Sequence, residues 1–321
     1  AAPTASDTSL RGTAAVNSTM DEDSCCGGVR EYLRRGSIKD ALGSTALAIG
    51  NERGTCCMIE AGLARDKITR IFSASKMLTS YVILRLVHDG RLRLETRAAE
   101  ILGWWNATGG GCHNVTVFHL LGQTGSLKQY SCNADDTLGC AKDAYRNACS
   151  ARPLGSKFEY AGTNFHVLGA IALAVTGLPT YNDVFRKYLA GPLRMSRRCV
   201  FDRPSLAKAN PGGGGRCTAA DFALFLRAAL ADEIVPVALR RQAEKPHTLL
   251  LGIPSETFWE PWHYGLGQWR ECPGAEVHDN CSDTDSMGVK VSSMGMAGYY
   301  PWILRRGRRS HWGVIARKGR E

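Results

Sequence analysis

The chain has 321 residues, 44% apolar and 22% charged, with a formal net charge of +10. That length suits two domains or one large two-lobed fold, and the apolar fraction is enough for a large core, which excludes global disorder, collagen and a coiled coil. The longest apolar stretch, FHVLGAIALAVTGL, falls short of the ~20 residues that a membrane-spanning helix needs and carries a histidine, so no membrane span is expected.

The opening AAPTASDTSLRGTAAVNST is small, polar and aperiodic, the composition of a flexible tail over 1–22. It has no charged n-region and no apolar h-region, so it reads as a mature N-terminus from which a signal peptide has been removed. Cys25 to Asp40 predicts a short helix with Val29, Tyr32 and Leu33 on one face. Two strands follow, STALAIG and TCCMIEAG, joined by a turn over Asn51–Gly54. The next segment, SKMLTSYVILRLVHDG, carries Met77, Leu78, Tyr81, Val82, Leu84 and Leu86 at helical spacing and stops at Gly90. DVFRKYLAGPL and AADFALFLRAALAD are further helices. Strand patterns return in ETFWEPWHYGLGQW, KVSSMGMAG, YYPWILRR and HWGVIARK. The chain therefore divides into an α/β lobe from 23–72 and 216–321 and a mostly helical lobe over 73–215. The basic run RRGRRS (Arg305, Arg306, Arg308, Arg309) could meet a polyanion, but a solvated hairpin turn between the last two strands is the better reading. No nucleic-acid-binding module is visible.

The twelve cysteines include no Cys-x-x-Cys, which argues against zinc and for an oxidised, secreted, disulfide-bonded protein. Asn17, Asn106 and Asn114 head Asn-x-Ser/Thr sequons and are candidate glycosylation sites in a eukaryotic secretory product.

The candidate chemistry lies in FSASKML. Ser73 and Lys76 stand three apart at the start of a helix and share a face. A serine needs a neighbouring base to become a nucleophile, and a buried lysine can lose its proton near neutral pH. No Gly-x-Ser-x-Gly elbow competes with it, and GGGG at Gly212–Gly215 lacks the Lys-Ser/Thr of a phosphate loop.

The segment KITRIFSASKMLTSYVILRLVHDGRLRLETRAAEIL resembles the active-serine segment of the serine β-lactamase-related family, which includes penicillin-binding proteins, class C β-lactamases and family VIII carboxylesterases. VTVFHLLGQTGSL, GSKFEYAGTNFHVLGAIALAVTG, YLAGPLRM and AADFALFLRAAL resemble further landmarks in the family's order, over about residues 25–318. The resemblance implies a two-lobed α/β (α+β) β-lactamase/transpeptidase-like fold, an antiparallel sheet flanked by helices plus a mostly helical lobe. It implies that Ser73 is the nucleophile, Lys76 its lysine and Tyr160 the proton relay. Gly162 stands where the Tyr-x-Asn motif has its Asn. Ser293-Met294-Gly295 stands where the edge strand has Lys-Thr-Gly or His-x-Gly, and Gly298 fits the glycine that follows. The amides of Ser73 and Met296 would then form the oxyanion hole.

The missing cation and the missing amide argue against a dedicated β-lactamase. A secreted serine hydrolase for an ester or amide is expected, needing no metal or organic cofactor. The other reading is a catalytically retired scaffold used for binding or assembly. His263 either touches substrate or packs with its polar tip satisfied, while His119 and His166 read as structural. Trp262, Trp269 and Trp302 line a cleft or belong to the core. The geometry of adjacent cysteines disfavours bonding within Cys25–Cys26 and within Cys56–Cys57. With the family's first helix laid across the early strands, at least one bridge between the two pairs is expected, followed by Cys199–Cys217 and Cys272–Cys281. The family's C-terminal helix has no counterpart after HWGVIARK. Trp302, Leu304, Trp312 and Val314 are therefore expected to be partly uncovered, with a second polypeptide or cleaved C-terminal segment over them. The rival cover is the Val29–Leu33 helix.

Overall fold

The computed structural model describes Cys26 and residues 44–106, 108, 111–252, 262–272 and 288–318. Strands β1 (Thr45–Asn51) and β2 (Gly54–Ala61) form the first hairpin. β3 (Thr69–Arg70), β4 (Val200–Phe201) and β5 (Gly215–Cys217) make a small sheet in the order β3-β5-β4. β6 (His263–Tyr264), β7 (Trp269–Glu271), β8 (Val289–Ser292), β9 (Tyr300–Arg305) and β10 (His311–Arg317) complete the main sheet. Its order is β2-β1-β10-β9-β8-β7-β6, with antiparallel pairing throughout, so strands from both chain ends meet at β1 and β10.

The register shows why two glycines sit in these strands. Gly50 pairs with Trp312, and Gly313 pairs with Trp302. A Cβ on either glycine would strike the partner's indole, so each glycine seats a ring flat on the sheet. Trp312 also donates its Nε1–H to the Asn51 carbonyl at 2.9 Å.

The helix Ala219–Leu230 starts on a Thr218 cap, whose Oγ1 accepts from the Asp221 amide at 2.9 Å. It lies on β1, β9 and β10. This corrects one expectation from the sequence: Trp312 and Val314 are fully buried, because this helix covers their face. Trp302 and Leu304 are half-buried, and Val29–Leu33 lie outside the described residues. The basic hairpin is also divided. Gly307–Arg309 form the turn, but Arg305 donates to the Ala229 and Leu230 carbonyls at 2.7 and 2.8 Å and to Glu244 at 2.9 Å. It caps the end of that helix, where a cation is favoured.

The segment Tyr181–Ala190 is not one regular helix. A capping box of Thr180 and Asp183 starts Tyr181–Phe185, and a π-turn over Arg186–Ala190 ends it. Among the described residues, no single helix is long and apolar enough to cross a membrane.

Disulfides join Cys26–Cys57, Cys112–Cys149, Cys132–Cys140 and Cys199–Cys217. The first runs between the two adjacent-cysteine pairs. Cys56 and Cys272 are also disulfide-bonded, while Cys25 and Cys281 lie outside the described residues. Asn106 is exposed and its Oδ1 accepts from the Thr108 amide and hydroxyl at 2.8 Å. Asn114 is half-buried at the end of a 3₁₀ turn, and Asn17 is outside the described residues.

Candidate active site

Ser73 lies in the tight turn Phe72–Ala74 that opens the helix Ser75–His88. Phe72, just before it, has φ +45°, the left-handed region that a bulky side chain normally avoids. The helix is buried nearly all round, so its polar side chains act as fasteners to other segments. The Ser75 hydroxyl accepts from the Gly215 amide at 3.0 Å. Thr79 donates to the Pro211 carbonyl at 2.7 Å, and Ser80 to the Leu266 carbonyl at 2.6 Å.

One helical turn after Ser73, Lys76 is 3% exposed. Its Nζ lies 3.2 Å from Ser73 Oγ and 2.8 Å from the Gly212 carbonyl oxygen. Burial lowers its pKa to about 7, because a desolvated ammonium is disfavoured. The amine also sits over the Tyr160 ring at 4.5 Å and the Phe165 ring at 5.6 Å from their centres. Burial raises the Tyr160 phenol to about 12, against hydrogen bonding from Ser73 and Trp269 that pulls it down. The buried amine is therefore readily neutral while the phenol keeps its proton. The structure brings Ser73, Lys76 and Tyr160 together.

Gly162 begins the helix Thr163–Thr176 and contributes backbone only. Its amide donates to Gln129 Oε1 at 2.8 Å. The side-chain amide of the next Asn in the chain, Asn164, is buried and has no hydrogen-bond partner among the described residues. The Tyr160 loop is held instead by two glutamines: the Ala161 amide donates to Gln123 Oε1 at 2.5 Å, and the Glu159 amide to the Gln123 carbonyl at 2.9 Å. Gln123 was visible in the sequence only as part of a family landmark, and Gln129, two residues past the end of that landmark, carried no signal of its own.

The third-motif segment leaves the end of β8. This strand is not a sheet edge: β7 pairs beside it up to Ser292↔Trp269, and Ser293 is the first residue past that pairing. Ser293 Oγ donates to the Ser73 carbonyl at 2.9 Å, so it anchors the backbone of Ser73. The Gly295 amide donates to the Tyr299 carbonyl at 2.7 Å, and a Cβ there would strike the Ile71 carbonyl. This close approach lays the loop against the chain just before Ser73. Met296 points outward, 85% exposed, and Gly298 turns the chain at φ +85°.

An aromatic wall flanks Tyr160. Trp269 stacks on it with centres 5.2 Å apart, Tyr264 meets it edge-on at 5.9 Å, and Phe158 packs on Tyr264 at 5.2 Å. Trp262 packs against this cluster, while Trp302 stacks on Tyr300 at 5.4 Å. His263 is half-buried, its Nδ1 lies 3.4 Å from Thr248 Oγ1, and burial lowers its pKa. Strand alternation turns the neighbouring Tyr264 toward Tyr160 instead. His119 Nδ1 bonds the Thr116 hydroxyl at 2.7 Å. His166 is buried and held neutral, its pKa lowered to about 4 by burial and then by Lys208 and Lys76.

The family model described as "Beta-lactamase" matches residues 60–276. Penicillin-binding protein 4 of Amycolatopsis lactamdurans is 26% identical over 206 residues, 54% of each chain, so the chain spans about half the length of that curated relative. Three solved structures share the fold. EstCE1, a hydrolase with promiscuous acyltransferase activity, has TM-score 0.72 and 16% identity, over 92% of this chain and 94% of its own. The octameric penicillin-binding protein homologue from Pyrococcus abyssi has TM-score 0.68 and 17% identity, over 94% and 74%. A D-stereospecific amidohydrolase from Streptomyces sp. has TM-score 0.61 and 18% identity, over 87% and 93%. With the family match spanning more than half of the chain and the serine, lysine and tyrosine in one cluster, the chain belongs to the beta-lactamase family.

Proposed function

We propose that the protein is an extracellular serine hydrolase that cleaves an ester or amide through an acyl-serine intermediate, and that it is not a dedicated β-lactamase. The observation that carries this reading is the Lys76 amine, buried, with its pKa near 7 and 3.2 Å from Ser73 Oγ. As Ser73 Oγ attacks the substrate carbonyl carbon, neutral Lys76 takes its proton. Tyr160, which keeps its proton, gives it to the leaving oxygen or nitrogen and is reprotonated from Lys76. Water then cleaves the acyl-serine by the reverse route. The amides of Ser73 and Met296 hold the oxyanion.

Two departures shape the substrate. Ser293 brings no positive charge, and its hydroxyl is engaged on the Ser73 carbonyl. Gly162 offers no side-chain amide. A neutral acyl group against the aromatic wall suits such a site better than a carboxylate-bearing one. The disulfides support an extracellular location.

A fluorophosphonate probe tests this. It should label Ser73 in the wild type and leave Ser73→Ala unlabelled, while a small activated ester is turned over by the wild type only. Absence of both labelling and turnover in a folded wild type would overturn the hydrolase reading and favour the retired scaffold.

A further inference from the structure

A second concave site lies beside the small sheet. It is a cavity of about 590 Å³, within the ~300–1,000 Å³ usual for small-molecule sites. Its lining includes six cations, Lys67, Arg70, Arg198, Arg203, Arg216 and Lys318, together with the apolar Leu63, Ile68 and Phe72. The cations come from separate stretches: the approach to β3, the loops on either side of β4, β5, and the end of β10. Folding therefore gathers them, and no run of basic sequence accounts for the cluster.

Their pairing is incomplete. Arg216 is bonded to Asp202, but its Nε is buried with no hydrogen-bond partner among the described residues. Arg70 lies over the Phe72 ring at 4.4 Å, which fixes the guanidinium in place. The side chains of Lys67, Arg198, Arg203 and Lys318 make no ion pair among the described residues, and no acidic residue is among the lining side chains. Like charges collected in one concavity repel each other, and an anion relieves this. Arginine forks match the oxygens of phosphate and sulfate in particular.

We propose that this cavity binds a small organic anion carrying two or more phosphate or sulfate groups. Its lining holds none of Ser73, Lys76 and Tyr160, although Phe72 directly precedes Ser73 in the chain. Five cations without a carboxylate partner among the described residues, at the mouth of one cavity, suit a ligand with more than one anionic group, and the Leu63–Ile68–Phe72 surface suits the ligand's carbon frame.

Isothermal titration of the full chain at low salt tests the proposal with two probes, inorganic pyrophosphate and a doubly sulfated disaccharide. At least one should titrate at one per chain, and binding should weaken as salt rises. Tighter binding of pyrophosphate assigns a phosphorylated ligand, and tighter binding of the disaccharide a sulfated one. Arg198→Ala/Arg203→Ala should weaken it at least tenfold, while Arg306→Ala/Arg308→Ala on the distant hairpin leaves it unchanged. If the first pair does not fold, Lys67→Ala/Lys318→Ala replaces it under the same criterion. No saturable binding of either probe, wild-type affinity in the cavity variant, or equal loss in the hairpin variant would overturn the proposal.

Discussion

The Lys76 amine donates to the carbonyl oxygen of Gly212 at 2.8 Å, across 136 residues of chain. A backbone acceptor therefore holds the candidate base, while Gly162 leaves the motif's side-chain amide out. The two glycines differ in what surrounds them. A Cβ on Gly212 would lie 3.0 Å from Phe165 Cβ and 3.2 Å from Gly162 Cα, whereas a Cβ on Gly162 meets nothing nearer than Gln129 Oε1 at 3.9 Å. Gly162→Ala should keep the wild-type melting temperature. Gly212→Ala should lower stability by about 1–3 kcal/mol through overpacking and reduce turnover by moving the carbonyl off Lys76. Denaturant unfolding and ester turnover of the two variants check this, and equal effects would refute the distinction.

Within the proposed mechanism, Lys76→Ala and Tyr160→Phe should each reduce ester turnover by about 10²- to 10⁴-fold, with the fold retained. Steady-state kinetics beside circular dichroism separates loss of chemistry from loss of structure.

The depressed Lys76 pKa has a signature in both rate and stability. Turnover should rise as pH passes about 7, where the buried amine becomes neutral. In the unfolded chain the amine keeps its proton up to its ordinary 10.5. Between these values the unfolded state binds the extra proton, so this group makes stability increase with pH, by up to ~1.4 kcal/mol per pH unit. Below about 7 the amine is protonated in both states, and the cost of burying the charge is carried in full. Lys76→Met should reduce turnover as Lys76→Ala does, raise the urea midpoint at pH 6 and flatten the slope between pH 7 and 10. An unchanged slope would show that another group titrates.

Trp269 supports Tyr160 by stacking and by hydrogen bonding. Trp269→Phe keeps a ring but loses the indole N–H, so the Tyr160 phenol should titrate at still higher pH and the alkaline limb of the rate profile should move up. Trp269→Ala should lose about tenfold in turnover, in line with the ~0.5–1.5 kcal/mol of an aromatic pair. Identical pH profiles for wild type and Trp269→Phe would remove Trp269 from this role.

Loop length should rank the disulfides. Cys112–Cys149 spans 37 residues and Cys132–Cys140 spans 8. Replacing the first pair by serine should cost about 2–4 kcal/mol, and replacing the second about 1 kcal/mol less, if restriction of the unfolded chain dominates. Chemical denaturation of the two double variants gives the comparison.

Local patterns were enough for much of this molecule. Ser73 and Lys76 share a helix face by their spacing alone, and the long helix behind them and the strands around Ala46 and Val314 follow from periodicity, which is a property of neighbouring residues. The contacts that give those residues their environment are non-local. Gly212 meets Lys76 from 136 residues along the chain, and beside it the Pro211 carbonyl is fastened to Thr79. Tyr264 rather than His263 faces Tyr160, because side chains alternate along a strand and its register decides which one turns inward. Trp312 and Val314 are buried because the helix Ala219–Leu230 lies over β10, which the apolar pattern of β10 cannot reveal. The six cations of the second cavity are scattered between Lys67 and Lys318. One-dimensional spacing specifies which residues share a face of an element, but which elements come together is settled by packing in three dimensions.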